Sequence, residues 1–78
     1  MQGCMTPTQC KMARAALDWT VKDLADKAQV GISTVVRFEK GRGKPIAATI
    51  AAMQRCLEAG GVRFIPNGVC FEPGNGEA

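Results

Sequence analysis

The segment "LADKAQVGISTVVRFEKGRGKP", Leu24 to Pro45, restricts the possible folds more than any other part of this 78-residue chain. Val21, Leu24, Ala25 and Ala28 form one apolar stripe at helical spacing, and Thr20 with Asp23 three residues later supplies a start signal, predicting a helix over 21–28. "QVG" then interrupts the pattern. Gly31 stands where the next N-cap belongs, and residues 32–40 form a further helix that Gly41 ends. Two such short helices cannot bury both stripes against each other alone, so they need partner helices to make a core. The basic glycine loop "GRGK" follows directly.

The partners are legible on either side. Thr6-Pro7-Thr8-Gln9 offers an N-cap, a proline at the first helical position and a Gln at the third, and Cys10, Ala13, Arg14 and Leu17 share one face of a helix over about 7–17. Pro45 marks the first turn of a fourth helix, where Ile46, Ile50, Met53 and Leu57 recur at helical spacing until Gly60-Gly61. The period then changes. In "VRFIPNGVCFE" an Asn67-Gly68 turn would set Phe64 opposite Phe71, Ile65 opposite Cys70 and Arg63 opposite Glu72. Pro66 has no N–H for such a ladder, which leaves a longer loop or an edge position open. "EPGNGEA" reads as a loose tail. The expected fold is mainly α: four helices and a C-terminal β-strand or hairpin, with one domain over 1–61, a β segment over 62–73 and a tail over 74–78.

Charge and cysteine content narrow the class of function. Ten Lys plus Arg against seven Asp plus Glu leave a net charge of only +3, but Arg37, Lys40, Arg42 and Lys44 crowd into eight residues with Glu39 alone against them. This is a local basic patch. The four cysteines form no CxxC pair and there is no histidine, so no common zinc site is expected, nor any cofactor. Without a secretory pattern at the N-terminus or an apolar run long enough to span a bilayer, reduced thiols, a cytoplasmic location and no membrane contact are expected. Cys10 and Cys56 read as small apolar residues on helical faces. No paired carboxylates, His, Tyr or phosphate loop suggests an enzyme.

The combination "LA...A.V....V.RFE.G" resembles the Cro/XRE family of phage-repressor-type helix-turn-helix proteins, whose pattern is roughly L-A-x-x-A-G-V-S-x-x-T-[IV]-x-R-[FW]-E-x-G. The resemblance runs from Thr6 to about Leu57. Two positions depart from it: Gln29 replaces a turn glycine, and Gly31 replaces the serine that usually caps the recognition helix. The resemblance implies a recognition helix over about 32–40 lying in the major groove of double-stranded DNA. Carried over position by position, it places Ile32, Ser33, Val36 and Arg37 toward the bases and Val30, Val35 and Phe38 in the core.

Arg37 is the candidate for direct readout because its planar fork matches guanine O6 and N7. Ile32 and Val36 offer only apolar contact. Thr20, Lys22, Thr34, Lys40, Arg42 and Lys44 are candidates for phosphate contact. Arg14 and Glu39 match the family's ion pair between the first helix and the end of the recognition helix. Trp19 is expected to be a core lid.

A lone hairpin is marginal in water, so Val62, Phe64, Ile65, Val69 and Phe71 must pack either on the chain's own helices or on a second subunit. The second choice implies a homodimer on a palindromic operator, and with it a transcriptional regulator that blocks or recruits polymerase. Polymerase or another regulator is then the expected protein partner. The alternatives are an antitoxin-like or recombination-accessory (excisionase-like) DNA-binding protein, and a helix-turn-helix fold repurposed for protein binding with Ile32 and Val36 as its contact surface.

Overall fold

A computed structural model describes residues 5–66 and 68–71 of the chain. Four helices, α1 (Pro7–Leu17), α2 (Val21–Ala28), α3 (Ile32–Glu39) and α4 (Ala47–Ala59), precede an antiparallel hairpin of β1 (Val62–Ile65) and β2 (Gly68–Phe71). The mainly helical fold with a C-terminal β element agrees with the expectation from sequence. The expected tail lies outside the described residues, as does Glu72 of the expected Arg63–Glu72 pair, and Arg63 pairs with Cys70 instead.

Local chemistry explains the first two helix starts. Thr6 Oγ1 accepts from the Gln9 N–H while the Gln9 side chain accepts from the Thr6 N–H, and Thr20 and Asp23 repeat the exchange at α2. Each reciprocal pair satisfies two backbone donors that a helix start otherwise leaves without partners. The two helices end on residues in the left-handed region, Asp18 at φ 59° and Gln29 at φ 60°. For Gln29 this conformation carries a steric cost that glycine avoids, partly offset by glycine's greater freedom in the unfolded chain. Gln29→Gly is therefore expected to stabilise the fold by about 0.5–1 kcal/mol, roughly 2–8 °C in Tm. A thermal melt showing no rise would contradict this account of the turn.

The core gathers Leu24 and Ala25 of α2, Val35 and Phe38 of α3, Ile50, Met53 and Leu57 of α4, Cys10 and Ala13 of α1, and Val62 of β1. α4 packs on α2, α1 and β1, while α3 packs on α2 and α1. Trp19, half-buried, lies against this core and holds the Lys27 ammonium 5.0 Å from its ring centroid. Gly60 makes close packing possible there, since a Cβ at that position would come within 2.8 Å of Leu17 Cδ1 and 3.1 Å of the Trp19 ring.

Two details differ from the sequence reading. Pro45 lies before α4, whose N-cap is Ile46, and Ile46 is 71% exposed; its spacing from Ile50 fits the apolar stripe, but the helix has not begun where that stripe would need it. The hairpin pairs Val62 with Phe71, Arg63 with Cys70, Phe64 with Val69 and Ile65 with Gly68. The turn thus sits one position earlier than the Asn-Gly signal suggests, with Pro66 in it, where a missing N–H and a fixed φ cost nothing. The partners slip by two residues, which leaves each side chain on its expected face. A buried glutamine accounts for this register: the Gln9 amide donates to the carbonyls of Ile65 at 2.7 Å and Gly68 at 3.0 Å, clasping both ends of the turn.

Candidate nucleic-acid interface

α3 divides cleanly between core and solvent. Val35 and Phe38 are buried, as is Glu39, whereas Ile32, Ser33 and Arg37 are exposed and Thr34 and Val36 half-buried. The helix therefore presents an outer face of Ile32, Ser33, Val36 and Arg37 while its inner face packs on α1 and α2. Val30, in the turn before it, rests half-buried against the core.

Beyond α3 the chain turns at Gly41, whose φ of +71° is a left-handed value that glycine adopts without strain. The Gly41 N–H donates to the Phe38 carbonyl at 3.0 Å and the Arg42 N–H to the Arg37 carbonyl at 2.9 Å, so the basic loop is hydrogen-bonded to the helix end. Lys40, Arg42 and Lys44 all stand exposed along it. Thr34, Arg37, Gly43, Lys44 and Pro45 line one notch between helix and loop. Sequence reasoning did not single out Gly43 or Pro45 for this notch, although the "GRGK" composition pointed to the loop that carries them.

The α2 start is less open to an anion than expected. Thr20 is exposed, yet its hydroxyl accepts from the Asp23 N–H at 3.0 Å and its own N–H donates to the Asp23 carboxylate at 2.9 Å. That N–H hydrogen bond holds the Asp23 carboxyl below its ordinary value, leaving a negative charge beside the helix start. Lys22 pairs with Asp26 at 3.0 Å, with both side chains well exposed. Such a pair contributes little and can be exchanged for another anion.

The orientation of α3 is set from below. Arg14 on α1 donates from Nε to Glu39 Oε2 at 2.6 Å and from Nη2 to Oε1 at 2.7 Å, and its Nη1 donates to the Trp19 carbonyl at 2.9 Å. The Cys10 thiol donates to the same carboxylate at 3.2 Å. Burial pushes the Glu39 carboxyl up, but the hydrogen bonds and charge around it outweigh burial and hold it below its ordinary value. Burial and the neighbouring carboxylate both push the Cys10 thiol far up, so it stays protonated. Cys10 is thus more than the small apolar residue its helical position suggested. Cys56 is only half-buried and donates to the Lys27 carbonyl at 3.2 Å.

This arrangement, an exposed helix face braced on a buried ion pair and followed by a basic loop, coincides with what a family comparison finds. A helix-turn-helix family model matches residues 11–64, about two thirds of the chain. The chain belongs to the Cro/XRE helix-turn-helix family. A comparison with curated proteins gives no match. The family is one of DNA-binding regulators, generally non-enzymatic, and among the described residues of this helix-turn-helix protein no group of His, Cys, Asp and Glu could hold a metal ion. No helix among them is long and apolar enough to cross a membrane.

The β segment of this helix-turn-helix chain packs on its own helices α1 and α4. Val62 lies in the core, and Phe64 and Val69 pack half-buried against it, whereas Ile65 is 40% and Phe71 39% exposed. Of the five residues considered for a subunit contact, Ile65 and Phe71 offer the most outward surface.

Proposed function

We propose that this chain is a sequence-specific transcriptional regulator that binds a palindromic operator as a homodimer, with α3 in the major groove. The observation that carries the reading is the division of α3: a buried inner face of Val35 and Phe38, and an outer face of exposed Ile32, Ser33 and Arg37 with half-buried Val36, followed by the exposed cations Lys40, Arg42 and Lys44. Ile32, Ser33, Val36 and Arg37 face the bases. Lys40, Arg42 and Lys44 meet the phosphates, with Lys22, Thr34 and the Thr20 hydroxyl, whose O–H is still able to donate although the Thr20 N–H is taken by Asp23.

Dimerisation uses the exposed apolar surface of the hairpin, Ile65 and Phe71 with the rims of Phe64 and Val69. A two-fold pair then spaces the recognition helices about 34 Å apart, one turn of the duplex. Polymerase or another regulator is the proposed protein partner at the promoter.

Selection from a pool of randomised duplexes, followed by titration at fixed moderate salt, tests this. The selected sequence is expected to be pseudo-palindromic and to bind at least about 10³-fold more tightly than random DNA. Four cations on phosphate should give a slope of log K against log salt of about −3.6 per subunit. Equal affinity for selected and random DNA would overturn the reading.

A further inference from the structure

The groove-facing side of α3 carries little polar chemistry at its leading end. Ile32 is the first residue of the helix and is 47% exposed, one of the few large apolar side chains so placed. Val36, one turn on, is half-buried beneath the same face, since residues four apart are neighbours on a helix surface. Gly31, the N-cap, forms no side-chain hydrogen bond to the helix.

Nor does the fold require glycine at position 31. Its φ of −72° and ψ of 146° suit any residue, and an added Cβ would meet only Thr34 Oγ1 at an ordinary 3.6 Å. A serine there would have capped α3. The bare cap therefore leaves the leading end of α3 slim and apolar, able to come close to a surface that offers no hydrogen bond. On the edge of a base pair in the major groove, the group of that kind is the C5 methyl of a pyrimidine.

We propose that Ile32, backed by Val36, is a specificity-determining contact for a pyrimidine C5 methyl, that of thymine or of 5-methylcytosine, in each operator half-site. This rests on the regulator reading above and adds the chemical group that α3 selects. Burying one methyl against Ile32 should change affinity about fourfold per half-site.

Thymines of the selected operator would be replaced one at a time by deoxyuridine, which removes only the methyl group, and cytosines by 5-methylcytosine, which adds it. One position per half-site is expected to respond, losing about fourfold on demethylation if it is a thymine or gaining as much on methylation if it is a cytosine. In the Ile32→Ala protein the same replacement should have no effect. Because Ile32 stands on the exposed face of α3 and outside the core cluster, Ile32→Ala should fold, and a melting curve checks that it does; Ile32→Val, which keeps the branched carbon, should retain part of the response if Ala does not fold.

If neither replacement changes affinity at any position, or the change is the same in wild type and Ile32 variants, the methyl contact is excluded while specific binding stands. If selection yields no preferred sequence, the regulator reading itself fails.

Discussion

Replacing Arg14 by methionine is expected to lower the stability of the fold by about 3–5 kcal/mol, because it removes one partner of a buried ion pair. Methionine retains most of the apolar stem of Arg14 but removes three hydrogen bonds: two to the Glu39 carboxylate and one to the Trp19 carbonyl. Glu39, 7% exposed, is then left as a buried charge with only the weak Cys10 thiol donor. For a domain of this size each kcal/mol corresponds to roughly 4–8 °C in Tm. Changing both partners, Arg14→Met with Glu39→Met, should recover most of the loss, because no charge then remains to be desolvated.

The pH dependence should change sign along with the stability. In the wild type the Glu39 carboxyl is held below its ordinary value, so its contribution is complete above the unfolded-state value of about 4.3 and is lost as pH falls through the lower folded value. Without Arg14, burial dominates and the carboxyl moves above its ordinary value. Its remaining contribution is then present below about pH 4.3 and is lost as pH rises through the raised value. Urea melts between about pH 4 and pH 7 would show the two curves converging toward acid. A constant gap across that range would mean that Arg14 acts through packing alone.

That ion pair also shows what a sequence can and cannot disclose about this site. α1 and α2 are legible because Thr6 with Gln9 and Thr20 with Asp23 announce their starts locally, and because Cys10, Ala13 and Leu17 in the one and Val21, Leu24, Ala25 and Ala28 in the other keep the helical period that faces a core. The outer face of α3 follows from the family resemblance instead, because Ile32 and Val36 are as apolar as Val35 and Phe38 and the period alone does not say which pair faces inward. The hairpin register was not legible: it depends on Gln9, more than fifty residues away, donating to the carbonyls at both ends of the turn. A local Asn-Gly preference is weaker than that clasp.

The polar role of Cys10 is hidden in the sequence for a related reason, since its bond to Glu39 joins α1 to α3 and leaves no trace in spacing. The half-covered α2 start is the opposite case. Asp23 was visible as a helix start signal, but its carboxylate also occupies the donor that a phosphate would have taken.

Arg37→Ala is expected to weaken operator binding by about 1–3 kcal/mol per half-site, roughly 5- to 150-fold for each, with the loss confined to one G·C pair in each half-site. Arg37 lies one turn beyond Ser33 on the outer face of α3, and unlike Arg14 it makes no side-chain hydrogen bond or ion pair among the described residues. Its stem runs beside Gly43, where an added Cβ would sit 3.7 Å from Arg37 Cβ and 3.8 Å from Nε. The loop thus supports the side chain and leaves its donors unused.

Lys44 shares the notch, so two cations border one site and two roles are open to them. Rooted in the helix, Arg37 is the one expected to reach the groove floor, with Lys44 on the loop nearer the phosphates. Arg37→Lys separates the roles: it keeps the charge, and so the salt slope, but loses the planar fork that bonds guanine O6 and N7 together. Discrimination at that base pair should therefore fall while affinity for random DNA is unchanged. Were Arg37 a phosphate contact instead, Ala would weaken all sequences alike and reduce the salt slope by about 1, and Lys would restore both.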